Sequence, residues 1–181
     1  MRQTILARRY AKALFAVGQE EGKSQSYRDA LNALGDFLEN TPEAIDGLTN
    51  RLYPMELREK VMAQLISAVQ ADKLLTNFLN LLVEKKRAGF LPEIATEFQS
   101  LVDADQNISR GTVVSAASIS EELQAKVQAT LENITGKKVI LTAEVDPSIL
   151  GGIVAKVGDL VMDGSIKTQL AGLNESIKGS E

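Results

Sequence analysis

The spacing of apolar residues changes once along the chain, and this change limits the folds that the chain can adopt. Through residues 1–105, apolar side chains recur at the three- and four-residue spacing of amphipathic helices. A polar segment, Asp103–Arg110, then interrupts the pattern, and β-branched stretches such as Thr112–Ala117 follow it. We therefore predict an α+β protein with a helical first part and a mixed second part.

Capping residues and prolines divide the first part into six helices. Short connections place consecutive helices antiparallel, as in a bundle. The predicted domains are residues 1–105 for the N-terminal six-helix bundle, 106–110 for a linker and 111–181 for a small C-terminal α/β domain. The helices are predicted from Thr4 to Glu21, Ser26 to Glu39, a short segment opened by Thr41-Pro42-Glu43, Pro54 to Val69, Asp72 to Arg87 and Leu91 to Asp103, with Thr4 and Asp72 as N-caps and Gly22 as a stop.

The second part reads as alternating strands and helices. Its first helix starts at Ser118–Glu122 and ends at Gly136, with one apolar face formed by Leu123, Val127, Leu131 and Ile134. The other predicted elements are strands Thr112–Ala117 and Lys138–Val145, a hairpin from Gly152 to Met162 and a last helix from Ile166 to Lys178.

Composition excludes several classes of function. The chain has no Cys and no His, which excludes disulfides, Cys/His metal sites, cysteine nucleophiles and histidine acid–base catalysis. The formal net charge is −4, and residues 1–105 and 106–181 each contribute −2. Neither half carries the basic surface that nucleic-acid binding requires. We therefore expect no catalytic residues, no cofactor, no metal and no nucleic-acid partner.

Hydropathy gives no sign of a membrane segment. No stretch reaches the roughly 18 apolar residues of a membrane span. The first residues, Met1–Phe15, lack the continuous apolar core of a signal peptide. We expect no direct membrane insertion, so any association with a membrane depends on partner proteins.

Two predicted helices carry more apolar surface than one core contact needs. On the first helix, Leu6, Ala7, Tyr10, Ala11, Leu14, Val17 and Gly18 cover about 160° of the helix circumference, whereas a core-facing stripe spans a little over about 100°. On the fifth helix, Leu74, Leu75, Phe78, Leu79, Leu81, Leu82 and Val83 cover about 200°. Either the fifth helix lies in the middle of the bundle, or one side packs on the core while the other receives a partner helix.

Other motifs are too incomplete to support a binding site. Asp103–Ser109 resembles the start of a calcium-binding loop, but Ile108 occupies the position of the required Gly and Val114 that of the final Glu. The Gly151-Gly152 pair lacks the Lys and Ser/Thr of a phosphate-binding loop, so a bend or a close backbone approach explains it better. The basic run within Glu84–Arg87 either interacts with the helix dipole or contacts an acidic partner.

Three segments resemble one protein family, the ATP synthase delta subunits of bacterial type, whose mitochondrial counterpart is the oligomycin-sensitivity-conferring protein. Ala7–Phe15 (ARRYAKALF) is similar to the opening helix of that family. Asn77–Leu82 (NFLNLL), followed by Leu91–Ile94 (LPEI), resembles its fifth helix and exit. Val145–Ile153 (VDPSILGGI), followed by Asp163–Ser165 (DGS), resembles its C-terminal signature.

Two positions depart from the family pattern. The turn after the fifth helix usually reads Glu-Asn-Gly-Arg, and Glu84–Arg87 (EKKR) replaces it here, which makes the turn more basic and its shape an open question. Ala155 stands where a larger aliphatic residue is usual, so looser packing of that strand is expected.

The resemblance implies a non-catalytic stator connector in the peripheral stalk of an F-type ATP synthase. It implies that helices one and five bind the N-terminal helix of an alpha subunit, and that the C-terminal domain meets the b-type stalk subunits. It also implies a single copy in a hetero-oligomeric complex at the cytoplasmic face of the bacterial plasma membrane. A small carboxylate enzyme and a helical adaptor outside the synthase are the alternative interpretations.

Site residues follow from the resemblance. The alpha-subunit groove is placed at Tyr10, Ala13, Leu14 and Val17 of helix one and Phe78, Leu79, Leu82 and Val83 of helix five, although periodicity does not separate groove-facing from core-facing residues. The candidate contacts with the b-type subunits are Leu170, Leu173 and Ile177.

Overall fold

The chain forms a mixed α+β fold, as predicted. The computed structural model describes residues 2–50, 52–158 and 160–170. It divides into two compact units between Asp103 and Ala104. The first unit is a bundle of helices and the second combines a four-stranded sheet with a packed helix.

Six α-helices build the first unit, and their ends agree with the prediction to within a few residues. Thr4, predicted as an N-cap, lies inside the first helix, which begins at Arg2. A single 3₁₀ turn, Ala88–Phe90, precedes the last helix. The helices are α1 (Arg2–Glu20), α2 (Ser24–Asn40), α3 (Pro42–Thr49), α4 (Met55–Ala68), α5 (Lys73–Glu84) and α6 (Leu91–Asp105).

The core of the first unit is almost entirely aliphatic, which follows from a chain with 4% aromatic residues and no Trp. Every helix contributes side chains to one hydrophobic cluster, and the α5 contribution is fully buried at Leu79 and Leu82. Phe98 is the largest buried side chain of α6, and the Phe15 ring meets it edge-on at 5.9 Å between centroids. Such burial supplies the main stabilising free energy of a bundle.

Helices α1, α4 and α5 end in the same hydrogen-bonded motif. In each, one residue takes a left-handed conformation, and the amide of the next residue donates to a carbonyl five residues earlier. Glycine suits the left-handed position because it lacks a Cβ. Only α1 has a glycine there; the three positions are Gly22 (φ +67°), Gln70 (φ +50°) and Lys86 (φ +57°).

The backbone around Lys86 shows the shape of the turn after α5, which the sequence left open. The amide of Arg87 donates to the carbonyl of Leu82 at 2.7 Å, and that of Lys86 donates to Val83 at 2.9 Å. The turn therefore has the shape that a glycine would give, although a lysine occupies the left-handed position.

The second unit is a four-stranded sheet in the order β2-β1-β3-β4. Strands β1 and β2 are parallel, because helix α7 connects them, and the other pairs are antiparallel. Its elements are β1 (Ile108–Ser115), α7 (Glu121–Thr135), β2 (Lys138–Val145), a 3₁₀ turn (Pro147–Ile149), β3 (Ile153–Val157) and β4 (Leu160–Asp163).

The predicted linker, residues 106–110, is shorter than expected. Helix α6 continues to Asp105, and β1 begins at Ile108, so only residues 106 and 107 lie outside regular structure. Ile108 through Arg110 pair with Lys138 through Ile140 of β2. Strand pairing thus overrides the polar composition that predicted a linker.

Helix α7 begins and ends where predicted. The Ser120 hydroxyl accepts a hydrogen bond from the amide of Leu123 at 3.3 Å, and Gly136 ends the helix in a left-handed conformation. The predicted apolar face is wrong at both ends, because Leu123 is 41% exposed and Ile134 is 54% exposed. Only Leu131, with half-buried Val127 beside it, packs on the sheet.

Side chains of α7 also satisfy the outer edge of β2. A Glu132 carboxylate oxygen accepts from the amide of Val139 at 3.0 Å, and the Gln124 amide group donates to the carbonyl of Leu141 at 3.2 Å. The hydrogen bond from Val139 holds the pKa of Glu132 below its ordinary value. Edge strands expose such groups to unwanted pairing, so this arrangement protects part of the edge.

Gly152 confirms the interpretation of the Gly151-Gly152 pair as a close backbone approach. Its φ is +80°, and a Cβ at this position would collide with the carbonyl oxygen of Gly164. Nearby, the amide of Gly164 donates to Ile153 at 2.9 Å. Ala155, the smaller residue on β3, is 4% exposed and lies in the core of the second unit.

Replacing Lys86 with glycine should stabilise the protein. A side chain in the left-handed region costs about 1–2 kcal/mol, and part of this gain is offset by the greater freedom of glycine in the unfolded chain. We expect Lys86→Gly to raise the free energy of unfolding by about 1 kcal/mol in urea titrations followed by circular dichroism.

The neighbouring lysine provides the control. Lys85 has φ −79°, which any residue adopts. Lys85→Gly removes the same charge without relieving strain, so it should leave stability unchanged or lower it. Equal effects of the two substitutions would show that the charge, and not the backbone conformation, matters.

Candidate partner-binding surface

Helices α1 and α5 lie side by side and antiparallel. The Tyr10 and Phe78 rings meet edge-on with centroids 6.1 Å apart and planes at 69°. At the other end, the Lys23 ammonium, just after α1, lies 2.8 Å from a carboxylate oxygen of Asp72, just before α5. Because the end of one helix meets the start of the other, the two helices run in opposite directions.

Four of the eight residues assigned to the alpha-subunit groove belong to the core. The four side chains pack into the core, and none of these residues is more than 4% exposed. These side chains stabilise the bundle and are not available to a partner in this structure, so their assignment to the groove is corrected. They are Leu14 (4%), Leu79 (0%), Leu82 (0%) and Val83 (1%).

The other four assigned residues form an apolar surface on one side of the helix pair. Tyr10, Val17 and Phe78 are half-buried, and Ala13 is exposed. The broad apolar faces of both helices are therefore divided, with one part in the core and one part on the surface. On α5, Leu79, Leu82 and Val83 lie in the core, and Phe78 on the adjoining side stays partly accessible.

Two further residues, Leu6 and Leu74, extend this surface and were not assigned to it from the sequence. Both are half-buried. Leu6 lies one turn before Tyr10, and Leu74 one turn before Phe78, so each continues the row of its helix. That four-residue spacing is the signal that could have identified them. We call the six residues the α1–α5 surface: Leu6, Tyr10, Ala13, Val17, Leu74 and Phe78.

Arg87 fixes one end of the α1–α5 surface. Its guanidinium donates a hydrogen bond to the Tyr10 hydroxyl at 2.6 Å and lies 5.5 Å from the centre of the Tyr10 ring. The second contact is a cation–π interaction. Tyr10 is thereby held between Phe78 and Arg87, which limits the side-chain entropy that the ring loses on binding a partner.

A polar cluster fixes the other end. The buried Tyr27 hydroxyl lies 2.9 Å from a carboxylate oxygen of Asp72 and 3.1 Å from one of Glu21, so its single proton is shared between the two acceptors, and Lys23 pairs with both carboxylates. Burial and these hydrogen bonds raise the pKa of Tyr27. Asp72 also caps α5, because its other oxygen accepts from the amide of Leu75 at 3.0 Å.

The pKa of Asp72 reflects these contacts. Burial raises it, but the hydrogen bonds from the Leu75 amide, Lys23 and Tyr27 outweigh burial and hold it below the ordinary value of 3.8. The ionised carboxylate is therefore the form that stabilises this end of the bundle.

In the second unit, Leu170 is 55% exposed. Leu173 and Ile177, the other candidate stalk contacts, lie outside the described residues. The last described helical residues, 166–170, start after Ser165, whose hydroxyl accepts from the amide of Thr168 at 3.2 Å.

Beside β3 and α7 is an apolar depression of about 290 Å³, lined mainly by Val127, Leu131, Ile153, Ala155 and Met162.

Neither a metal-binding group nor a membrane-spanning helix is found in the part of the chain that the structure describes. No group of three or more carboxylates there could hold a metal ion. No helix within residues 2–50, 52–158 and 160–170 has the length and apolar character needed to cross a membrane.

Comparisons with known proteins converge on one family. A family model described as ATP synthase delta (OSCP) subunit matches residues 6–177. An ATP synthase subunit delta from Desulfotalea psychrophila is 64% identical over 181 residues, covering 100% of both chains. Another, from Desulfosudis oleivorans, is 41% identical and covers 100% of this chain and 99% of the relative.

A solved structure shares the fold. A chain in the cryo-EM structure of the Toxoplasma gondii mitochondrial ATP synthase hexamer is similar with a TM-score of 0.72 and 25% sequence identity. The match covers 95% of this chain and 97% of that chain.

Substitutions of Asp72 test the polar cluster that holds the Lys23–Asp72 end of the α1–α5 surface. Asp72→Ala removes the cap of α5 and one of the two carboxylates that Tyr27 contacts, so it should lower the free energy of unfolding by about 1–2 kcal/mol at neutral pH. Asp72→Asn keeps an oxygen for the Leu75 amide and should cost less.

The same variants give a pH dependence. Because the folded-state pKa of Asp72 lies below 3.8, its ionic contribution is present above that pH and is lost as the pH falls through the folded-state value. The difference in unfolding free energy between the wild type and Asp72→Asn should therefore shrink in acid. A difference that stays constant down to pH values well below 3.8 would contradict this assignment.

Proposed function

The chain belongs to the ATP synthase delta (OSCP) family, bacterial type, as a structural and not itself catalytic subunit of the peripheral stalk, and we propose that it connects the catalytic head to the b-type stalk subunits. In this role it holds the head against the torque that accompanies proton-driven ATP synthesis. The partner on the head side is the N-terminal helix of an alpha subunit. Family membership removes the alternative of an adaptor outside the synthase.

The α1–α5 surface carries the head-side proposal. It is an apolar strip between two antiparallel helices, with Tyr10 and Phe78 in contact near one end and Val17 and Leu74 toward the other. An amphipathic helix binds such a strip through side chains spaced at three and four residues. Aromatic residues held in place by neighbours are the usual anchors of these interfaces.

The core beneath the surface suits a connector under load. Leu79 and Leu82 of α5 are fully buried on the side of the helix that adjoins Phe78, and Phe78 itself packs against the core. A partner therefore binds to side chains that rest on the bundle, and force applied to the partner is transmitted to the packed core.

The stalk-side attachment lies in the second unit under this proposal. Leu170 is the candidate contact among the described residues, with its side chain more than half exposed. One copy of the chain serves each complex, and it lies at the cytoplasmic face of the bacterial plasma membrane, peripheral through the other subunits.

Ala13 offers a direct test of the head-side contact. It is exposed, so Ala13→Glu should leave the fold intact while it places a charge among Tyr10 and Val17. We expect the affinity for a synthetic peptide of the alpha-subunit N-terminus to fall about tenfold or more in calorimetric titration of the full chain.

Ala16 is the matched control. It is also exposed on α1, but the residues four positions away are Lys12 and Glu20, and of the α1–α5 surface it neighbours only Ala13, three residues away. Ala16→Glu should bind as the wild type does.

Phe78→Asp, checked for folding by circular dichroism, should weaken peptide binding more than Ala13→Glu does. The control is Phe37→Asp, at an exposed phenylalanine. Full affinity in both Ala13→Glu and folded Phe78→Asp would reject the head-side site.

Leu170 tests the stalk side. Replacing this exposed leucine with aspartate should weaken binding of the soluble part of the b-type subunits about tenfold, because an apolar anchor is replaced by a charge. The control is Leu52→Asp, at a leucine 88% exposed in the first unit. Equal affinity of the two variants would remove Leu170 from the interface.

A further inference from the structure

Charge is distributed unequally along the α1–α5 surface. At the Tyr10 end, Arg87 contacts the Tyr10 hydroxyl, and Glu84, Lys85 and Lys86 precede Arg87 in the same turn, while Arg9 is next to Tyr10 in the sequence. The lysines and Arg9 are exposed, and Arg87 is half-buried against the Tyr10 ring. This end therefore has an excess of positive charge beside the apolar strip.

The opposite end lacks this excess. Lys23 is shared between Glu21 at 3.1 Å and Asp72 at 2.8 Å, and its pKa is raised by these two carboxylates. Exposed Glu20 and Lys73 are the adjacent charged residues in the sequence. The balance at this end is slightly negative, so the surface carries an electrostatic direction from the Asp72 end to the Arg87 end.

Contacts within the turn after α5 hold its cations at the Tyr10 end of the α1–α5 surface. Its left-handed Lys86 and the hydrogen bond from Arg87 to Leu82 fix the backbone, and Arg87 is anchored on Tyr10. Glu84 pairs with Lys85 at 2.8 Å, which leaves the turn with a net positive charge.

We propose that this basic turn sets the orientation of the bound helix by pairing with an acidic side chain near one end of that helix. The inference rests on the proposed function, since it concerns the same surface. In the reverse orientation the acidic side chain would lie beside Glu21 and Asp72, where like charges repel. Attraction at one end and repulsion at the other together discriminate between the two directions.

The decisive measurement compares two charge reversals in the full-length chain. Lys85→Glu with Lys86→Glu reverses the turn, and Lys137→Glu with Lys138→Glu makes the same charge change at exposed lysines of the second unit. The first variant should bind the alpha-subunit N-terminal peptide about tenfold more weakly than the wild type, and the second should bind equally well. The loss should largely disappear in roughly 1 M NaCl, because salt screens exposed charges.

Peptide variants identify the partner group. Replacing each acidic residue of the peptide in turn by its amide should reveal one whose change weakens binding to the wild type but not to the Lys85→Glu, Lys86→Glu variant. Since the chain has no cysteine, a spin label on a cysteine added to the peptide reports orientation without side reactions. A label at the acidic end should broaden the amide resonances of Arg9 and Lys86.

Three results separate the outcomes. A wild-type chain that does not bind the peptide overturns the proposed function and the orientation with it. A wild type that binds, together with an unaffected turn variant, leaves the head-side site in place and overturns the role of the basic turn. Broadening at Lys23 and Asp72 by the label at the acidic end would overturn the orientation alone.

Discussion

The edge-on contact between Tyr10 and Phe78 joins the two helices on which the first unit and its proposed partner site both depend. It lies on the outer side of α1 and α5, and the inner sides of the same helices fill the core with Leu14, Leu79 and Leu82. Arg87 holds Tyr10 from one end, and the Lys23–Asp72 ion pair holds the helices together at the other. Because the surface is supported on both ends and from behind, it is already formed before a partner binds.

Much of the fold follows from local signals in the sequence. The N-cap of α5 at Asp72, the start of α7 within Ser118–Glu122 and the limits of β2 agree with expectation, since capping side chains and β-branched runs act within a few residues. The division between groove and core on α5 was not predictable, because Phe78 and Leu79 are equally apolar and differ only in what packs against them. Residues 108–110 were missed as strand for a related reason: their partners in β2 are about thirty residues away.

The turn after α5 shows how a stability cost and a functional gain can share one position. A lysine in the left-handed conformation is less favourable than glycine there. The backbone nevertheless keeps the glycine-type shape, since the hydrogen bonds to Leu82 and Val83 and the anchoring of Arg87 determine it from both sides. The lysine adds a cation beside the α1–α5 surface that glycine would not supply. Strained residues are retained where the surrounding structure enforces them, and such positions are concentrated at functional sites.

The proposed mechanical role also explains why polar contacts lie at the ends of the surface and apolar ones along its length. Apolar burial is not directional, so a strip of Leu, Val and aromatic side chains gives affinity without fixing which way a helix lies. Charges add direction but contribute little affinity when exposed. A connector under torque needs both, because a helix bound in the wrong direction would place the remainder of the alpha subunit on the wrong side. The apolar strip supplies the affinity and the basic turn at its Tyr10 end supplies the direction, so the same pair of helices meets both requirements.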